Sequence, residues 1–154
     1  MGIRLGVGAV VAASLALLVA PATVPAEVYS GGTDQPGGRK VHLSIPERGS
    51  IKSATIEFIA DCRGGGAVRS RLVIKDFNRS SRAQFARHYS GNLKVGGESL
   101  KTRYSFVGKQ EDRNSYFGTL RLSGRFTGRD KPRKGACRTN LVRWRARIPH
   151  ELLR

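Results

Sequence analysis

Histidine and cysteine are scarce in this chain of 154 residues, which holds three of the first and two of the second. His42, His88 and His150 are scattered, and Cys62 and Cys137 form no Cys-x-x-Cys pair. Zinc and cluster sites need several such ligands at short, regular spacings, so neither a metal nor another cofactor is expected. Acid is also short, with 11 Asp and Glu against 28 Lys and Arg. The adjacent carboxylates Glu111 and Asp112 would point apart as neighbours in a strand or turn, which removes them as an acid/base pair. "DCRGGGAVRS" (61–70) has three glycines but no P-loop lysine and no following helix, so it reads as a hairpin turn and not a phosphate cradle. Sustained helical periodicity is missing, which excludes a helix bundle. Long apolar runs are missing too: the longest, "LGVGAVVAASLALLVA" (5–20), falls short of the roughly 20 residues of a spanning helix.

That run has another reading. Arg4 precedes it, and small residues follow it in "APA" before Thr23 and "VPA" before Glu27. This is the plan of a secretory signal peptide over 1–26, with cleavage preferred after Ala26 and an uncleaved membrane anchor as the alternative. The protein is thus expected to be secreted or extracytoplasmic, where an isolated cysteine pair is most simply one disulfide, Cys62 to Cys137. Residues 27–40, "EVYSGGTDQPGGRK", are rich in Gly and read as a flexible linker. One domain, 41–150, remains.

Within it the pattern is period two. Val41, Leu43 and Ile45 share a face, as do Ala54, Ile56, Phe58, Ala60 and Cys62. Further on, Val68, Leu72 and Ile74, then Leu100, Thr102, Tyr104 and Phe106, then Leu120, Leu122 and Phe126, and finally Val142, Trp144, Ala146 and Ile148 repeat the alternation. The segment 78–92 fits either a helical turn or a strand through Phe85, Arg87 and Tyr89, and a short strand is chosen. Short runs split by Gly, Asn, Asp and Pro predict an all-β antiparallel sandwich or small barrel of about seven strands with one disulfide. Trp144 follows both cysteines, which rules out the immunoglobulin spacing.

The opposite faces carry the charge. Net charge is +17, and twenty of the basic residues are arginine. Such an excess attracts anions. Lys101, Arg103, Lys109, Arg121, Arg125, Arg143, Arg145 and Arg147 all have outward parity, so they form one anion-binding face if their strands share a sheet. The expected partner is an anionic polymer (acidic glycan, wall polymer or nucleic acid backbone), held weakly and salt-sensitively. An ordinary solvated surface is the competing explanation. Like charges directly opposite on neighbouring strands would repel by roughly 0.8 kcal/mol per pair at about 5 Å in water. The aromatics Tyr104, Phe106, Phe126 and Trp144 have core parity and offer no stacking platform for bases.

The run "YFGTLRLSGRFTGRDKPRKGACRTNLVRWRAR" (116–147) resembles the C-terminal half of small exported bacterial all-β proteins of uncharacterised function. That resemblance implies the same fold and compartment and brings no catalytic residues. The expected function is therefore a non-enzymatic secreted or envelope-associated β-domain. The alternatives are a small-molecule-binding barrel of lipocalin or avidin type and a secreted hydrolase drawing on His42 and His88.

Overall fold

The computed structural model describes residues 27–46, 50–95, 98–126 and 135–149. The proposed signal segment 1–26 lies outside them. Among the described residues ten strands follow one another: β1 (Glu27–Thr33), β2 (Lys40–Ile45), β3 (Ser53–Cys62), β4 (Ala67–Ile74), β5 (Arg79–Ser80), β6 (Gln84–Val95), β7 (Glu98–Asp112), β8 (Ser115–Phe126), β9 (Ala136–Arg138) and β10 (Val142–Arg147). Pairing runs β10-β1-β2-β3-β9-β8 and returns from β8 to β10. Six antiparallel strands thus close a barrel, and the sandwich alternative gives way to it. Three longer strands lie outside that ring: β4 on β3, and β7 then β6 on β8, with the two-residue β5 at the edge of β6. The β3–β4 hairpin turns through Gly64, Gly65 and Gly66, all at positive φ.

Residues 27–40 are not a flexible linker. Their first half is β1, paired with β2 on one side and β10 on the other. One of the glycines that suggested flexibility serves a close approach instead: a Cβ on Gly31 would collide with the Arg145 carbonyl oxygen. Glu27 is anchored as well, since its Oε2 accepts hydrogen bonds from the Tyr29 hydroxyl and from Arg82 Nη2, both at 2.9 Å. The Tyr116 hydroxyl donates to the Arg82 carbonyl at 2.9 Å. Burial pushes the Tyr29 and Tyr116 hydroxyls above their usual range, with Glu27 adding to both effects, so they remain protonated donors. The segment 78–92 is extended, and β6 is longer than the short strand expected there.

One core of buried side chains joins the ring to the strands outside it. Tyr29, Phe58, Phe85, Phe106 and Tyr116 are fully buried, and Trp144 is nearly so. Trp144 stacks on Phe106 with ring centroids 5.1 Å apart and planes 8° from parallel. Phe85 lies 6.1 Å from Trp144 and 6.0 Å from Phe106. The alternation of the sequence is what produces this core, because each strand buries one face only.

One side of β3 faces two partners in succession, β2 over residues 53–56 and β9 over residues 61–62. The gap between them is bridged by a side chain. Gln35 Nε2 donates to the Ile59 carbonyl at 2.7 Å, and the Ile59 N–H donates to Gln35 Oε1 at 2.8 Å. This carboxamide substitutes for a missing strand residue. Gln35→Ala leaves the Ile59 peptide without both partners and is expected to lower stability by about 2 kcal/mol, read from denaturant unfolding. A loss within experimental error would mean that water takes over the role.

Candidate anion-binding surface

Strands β7, β8 and β10 are neighbours, with β8 in the middle. All eight predicted cations project from their outward faces: Lys101, Arg103 and Lys109 from β7, Arg121 and Arg125 from β8, and Arg143, Arg145 and Arg147 from β10. Register keeps most of them apart. Arg125 stands opposite Lys101, but Arg103 faces Ser123, Arg121 faces Ser105, and Lys109 faces Phe117. On the other side of β8, Arg143, Arg145 and Arg147 face Thr119, Phe117 and Ser115. Repulsion of roughly 0.8 kcal/mol in water therefore applies to one direct pair within the set and not to a whole ladder.

The eight divide into two groups by their counter-charges. On β10, Arg145 Nη2 meets Glu111 Oε1 at 2.8 Å. Arg143 lies beside Asp34, whose Oδ1 also accepts the Arg143 backbone N–H at 2.9 Å. Arg147 acts on Asp112, whose carboxyl is held below its usual range first by the Asn114 N–H, then by Ser115, with Arg147 adding to the effect. Glu111 and Asp112 thus serve a turn and ion pairs. Glu57 is occupied elsewhere: a hydrogen bond from Arg71 holds its carboxyl low, and the Arg71 Nη2 to Glu57 Oε1 distance is 3.0 Å.

The other five, on β7 and β8, have no ion-pair partner among the described residues: Lys109 and Arg121, and, at the end away from Glu111, Lys101, Arg103 and Arg125. Lys101, Arg103 and Arg125 line an open groove of about 690 Å³ there, together with Arg63, Arg138 and Asp61. Arg63 and Arg138 were not among the predicted residues. Each follows a cysteine directly, and Cys62 is the register partner of Cys137. The disulfide, with Cα atoms 3.9 Å apart, brings the two arginines to the same rim. That adjacency was the signal in the sequence that could have found them.

The register orders the groove. Asp61, Arg138, Ser123, Arg103 and Ser90 succeed one another across β3, β9, β8, β7 and β6. Ala136, Arg125, Lys101 and Asn92 form the next outward row, and the Arg63 N–H joins it by donating to the Ala136 carbonyl at 2.8 Å. With about 4.8 Å between strands, Arg138 and Arg103 stand about 10 Å apart across the short side chain of Ser123, and the two rows are about 7 Å apart along the strands. Between them runs the inward row that contains the disulfide, Gly124 and Thr102.

The residues weighed for catalysis do not assemble. His42 is on β2, with Nδ1 3.0 Å from Ser30 Oγ, and His88 is on β6 opposite Ser105. Those strands are not neighbours in the ladder. Among the described residues no group of three His, Cys, Asp or Glu side chains could hold a metal. His150 lies outside the described residues. One exposed aromatic was missed: Phe117 is 41% exposed between Lys109 and Arg145. Its parity with Arg121 and Arg125 was the available sign.

No family model, no curated protein and no solved structure matches this chain.

Proposed function

We propose that the protein is an exported, non-enzymatic β-barrel that associates with anionic polymers through the outward face of β7 and β8. The observation that carries this reading is the set of arginines and one lysine that lie side by side there without acidic partners among the described residues. Export rests on the leader over 1–26, cleaved after Ala26, and agrees with the Cys62–Cys137 disulfide, which belongs to an oxidising compartment. The resemblance of residues 116–147 to small exported bacterial all-β proteins points the same way. A barrel built to hold a small molecule needs an interior space, whereas the ring strands of this one bury the large side chains of Tyr29, Phe58, Tyr116 and Trp144. That favours surface attraction over ligand storage.

Binding of this kind displaces counterions, so it must weaken as salt rises. The mature chain is expected to be retained on immobilised heparin or single-stranded DNA at about 50 mM salt and released well below 1 M. Passage through both columns at low ionic strength would overturn the reading.

A further inference from the structure

We infer that the groove beside the disulfide is a binding site for a linear phosphate polymer that carries neither bases nor sugar rings, such as inorganic polyphosphate or a polyol phosphate. This rests on the anionic-polymer reading and narrows it to one place and one chemistry. Four of the five cations lining the groove are arginine: Arg63, Arg103, Arg125 and Arg138, with Lys101 as the fifth. A guanidinium presents a planar fork of donors that matches a phosphate oxygen pair, and it is less strongly hydrated than an ammonium group. Among the described residues none of these five is committed to a carboxylate, whereas Arg143 and Arg145 on β10 are. An incoming phosphate therefore has no ion pair among the described residues to break in the groove.

The walls decide against polymers whose rings are held by stacking. The side chains between the cations are small or polar, namely Ser90, Ser123 and Ala136, and no described residue lining the groove is aromatic. Polymers read through their bases rely on aromatic platforms that stack each ring. Phe117 could act as one, but it lies six residues along β8 from Ser123, about 20 Å away. A chain of bare phosphates needs only what is present: cations in two rows, spaced by short side chains that leave each guanidinium open on its flanks. Asp61 at the end of one row is the single acid among the described residues lining the groove, and it directs the chain toward Arg103 and Lys101.

The test compares two triple variants of equal charge. Arg63→Gln, Arg103→Gln and Arg138→Gln removes three of the five groove cations, while Arg143→Gln, Arg145→Gln and Arg147→Gln discharges β10. Binding of polyphosphate of about 50 units, of heparin and of single-stranded DNA is titrated between about 50 and 300 mM salt. The groove variant is expected to lose on the order of 30-fold in polyphosphate affinity, and the slope of log K against log salt should fall by about two to three. The β10 variant should stay within about threefold of the parent. Equal losses in both variants would overturn the groove assignment and leave general polyanion attraction standing. Tighter binding of heparin or DNA than of polyphosphate by the parent chain would overturn the ringless class alone. Binding of none of the three removes this inference together with the reading beneath it. Should the groove variant fail to fold, amide shifts of the parent chain on adding short polyphosphate give the answer: Ser123, Gly124 and Ala136 should move, and movement confined to residues 142–147 would overturn the proposal.

Discussion

Reduction of the Cys62–Cys137 bond lowers folding stability by about 4 kcal/mol, the largest effect expected of any single bond in this protein. The two cysteines are 75 residues apart in sequence, so the link removes a large share of the open chain's freedom in the chain-entropy view. A small domain commonly has only about 5 to 15 kcal/mol in all. Its position adds a structural reason. Strand β9 has three residues and meets β3 at two register pairs, Asp61 with Arg138 and Cys62 with Cys137, so the disulfide holds one of the two rungs that close the barrel there. Denaturant unfolding with and without reductant measures the loss, and the Cys62→Ser, Cys137→Ser double variant should match the reduced protein. Hydrogen exchange should show protection lost first at Ala136 to Arg138, while the long β7–β8 ladder keeps its protection. A loss below about 1 kcal/mol would mean that the reduced, unfolded chain is already compact around this loop.

Strand β10 was readable because a strand buried on one side writes its burial into alternate positions. Val142, Trp144 and Ala146 are buried and Arg143, Arg145 and Arg147 are exposed, as the period-two pattern requires. The same holds for Cys62 at the end of β3 and for the outward cations of β7 and β8. What escaped were elements too short or too glycine-rich to print an alternation. Strand β9 sits inside a basic loop sequence, β5 has two residues, and β1 carries at Gly31 the glycine that its contact with β10 demands. Barrel closure depends on pairings remote in sequence, β1 with β10 and β3 with β9, which no local pattern encodes. The candidate surface was legible to the same degree. Parity placed eight cations on one side, but the acids that neutralise part of them come from far away in the chain: Asp34 reaches Arg143 across 109 residues and Glu111 reaches Arg145 across 34. Distance in sequence therefore hid which arginines are left bare, and those are the ones on which the functional reading turns.

Trp144→Ala is expected to lower stability by about 4 kcal/mol, whereas Trp144→Phe should cost much less. The indole is 3% exposed and lies flat between Phe106 and the backbone of β8, where Gly118 is its register partner. Removing it opens a cavity bordered by Phe85 and Phe106, two rings whose strands are held by other ladders and so cannot collapse inward. The phenylalanine variant retains a ring for the stack. It also deletes the Trp144 Nε1 donor, which is buried and has no acceptor among the described residues, so part of the lost packing is offset by removing an unsatisfied polar group. The facing glycine supplies the complementary test. A Cβ on Gly118 would collide with the Val107 carbonyl oxygen and with the Trp144 ring. Gly118→Ala should therefore cost about 3 kcal/mol through overpacking. Adding Trp144→Phe should restore little of it, because the Val107 carbonyl belongs to the backbone and stays in place. Far-UV circular dichroism during denaturant unfolding reads all four variants without relying on tryptophan emission. A cost below about 1 kcal/mol for Trp144→Ala would mean that the stack is ornamental to the barrel, and full rescue of Gly118→Ala by Trp144→Phe would mean that the ring alone, and not the β7–β8 backbone contact, requires glycine there.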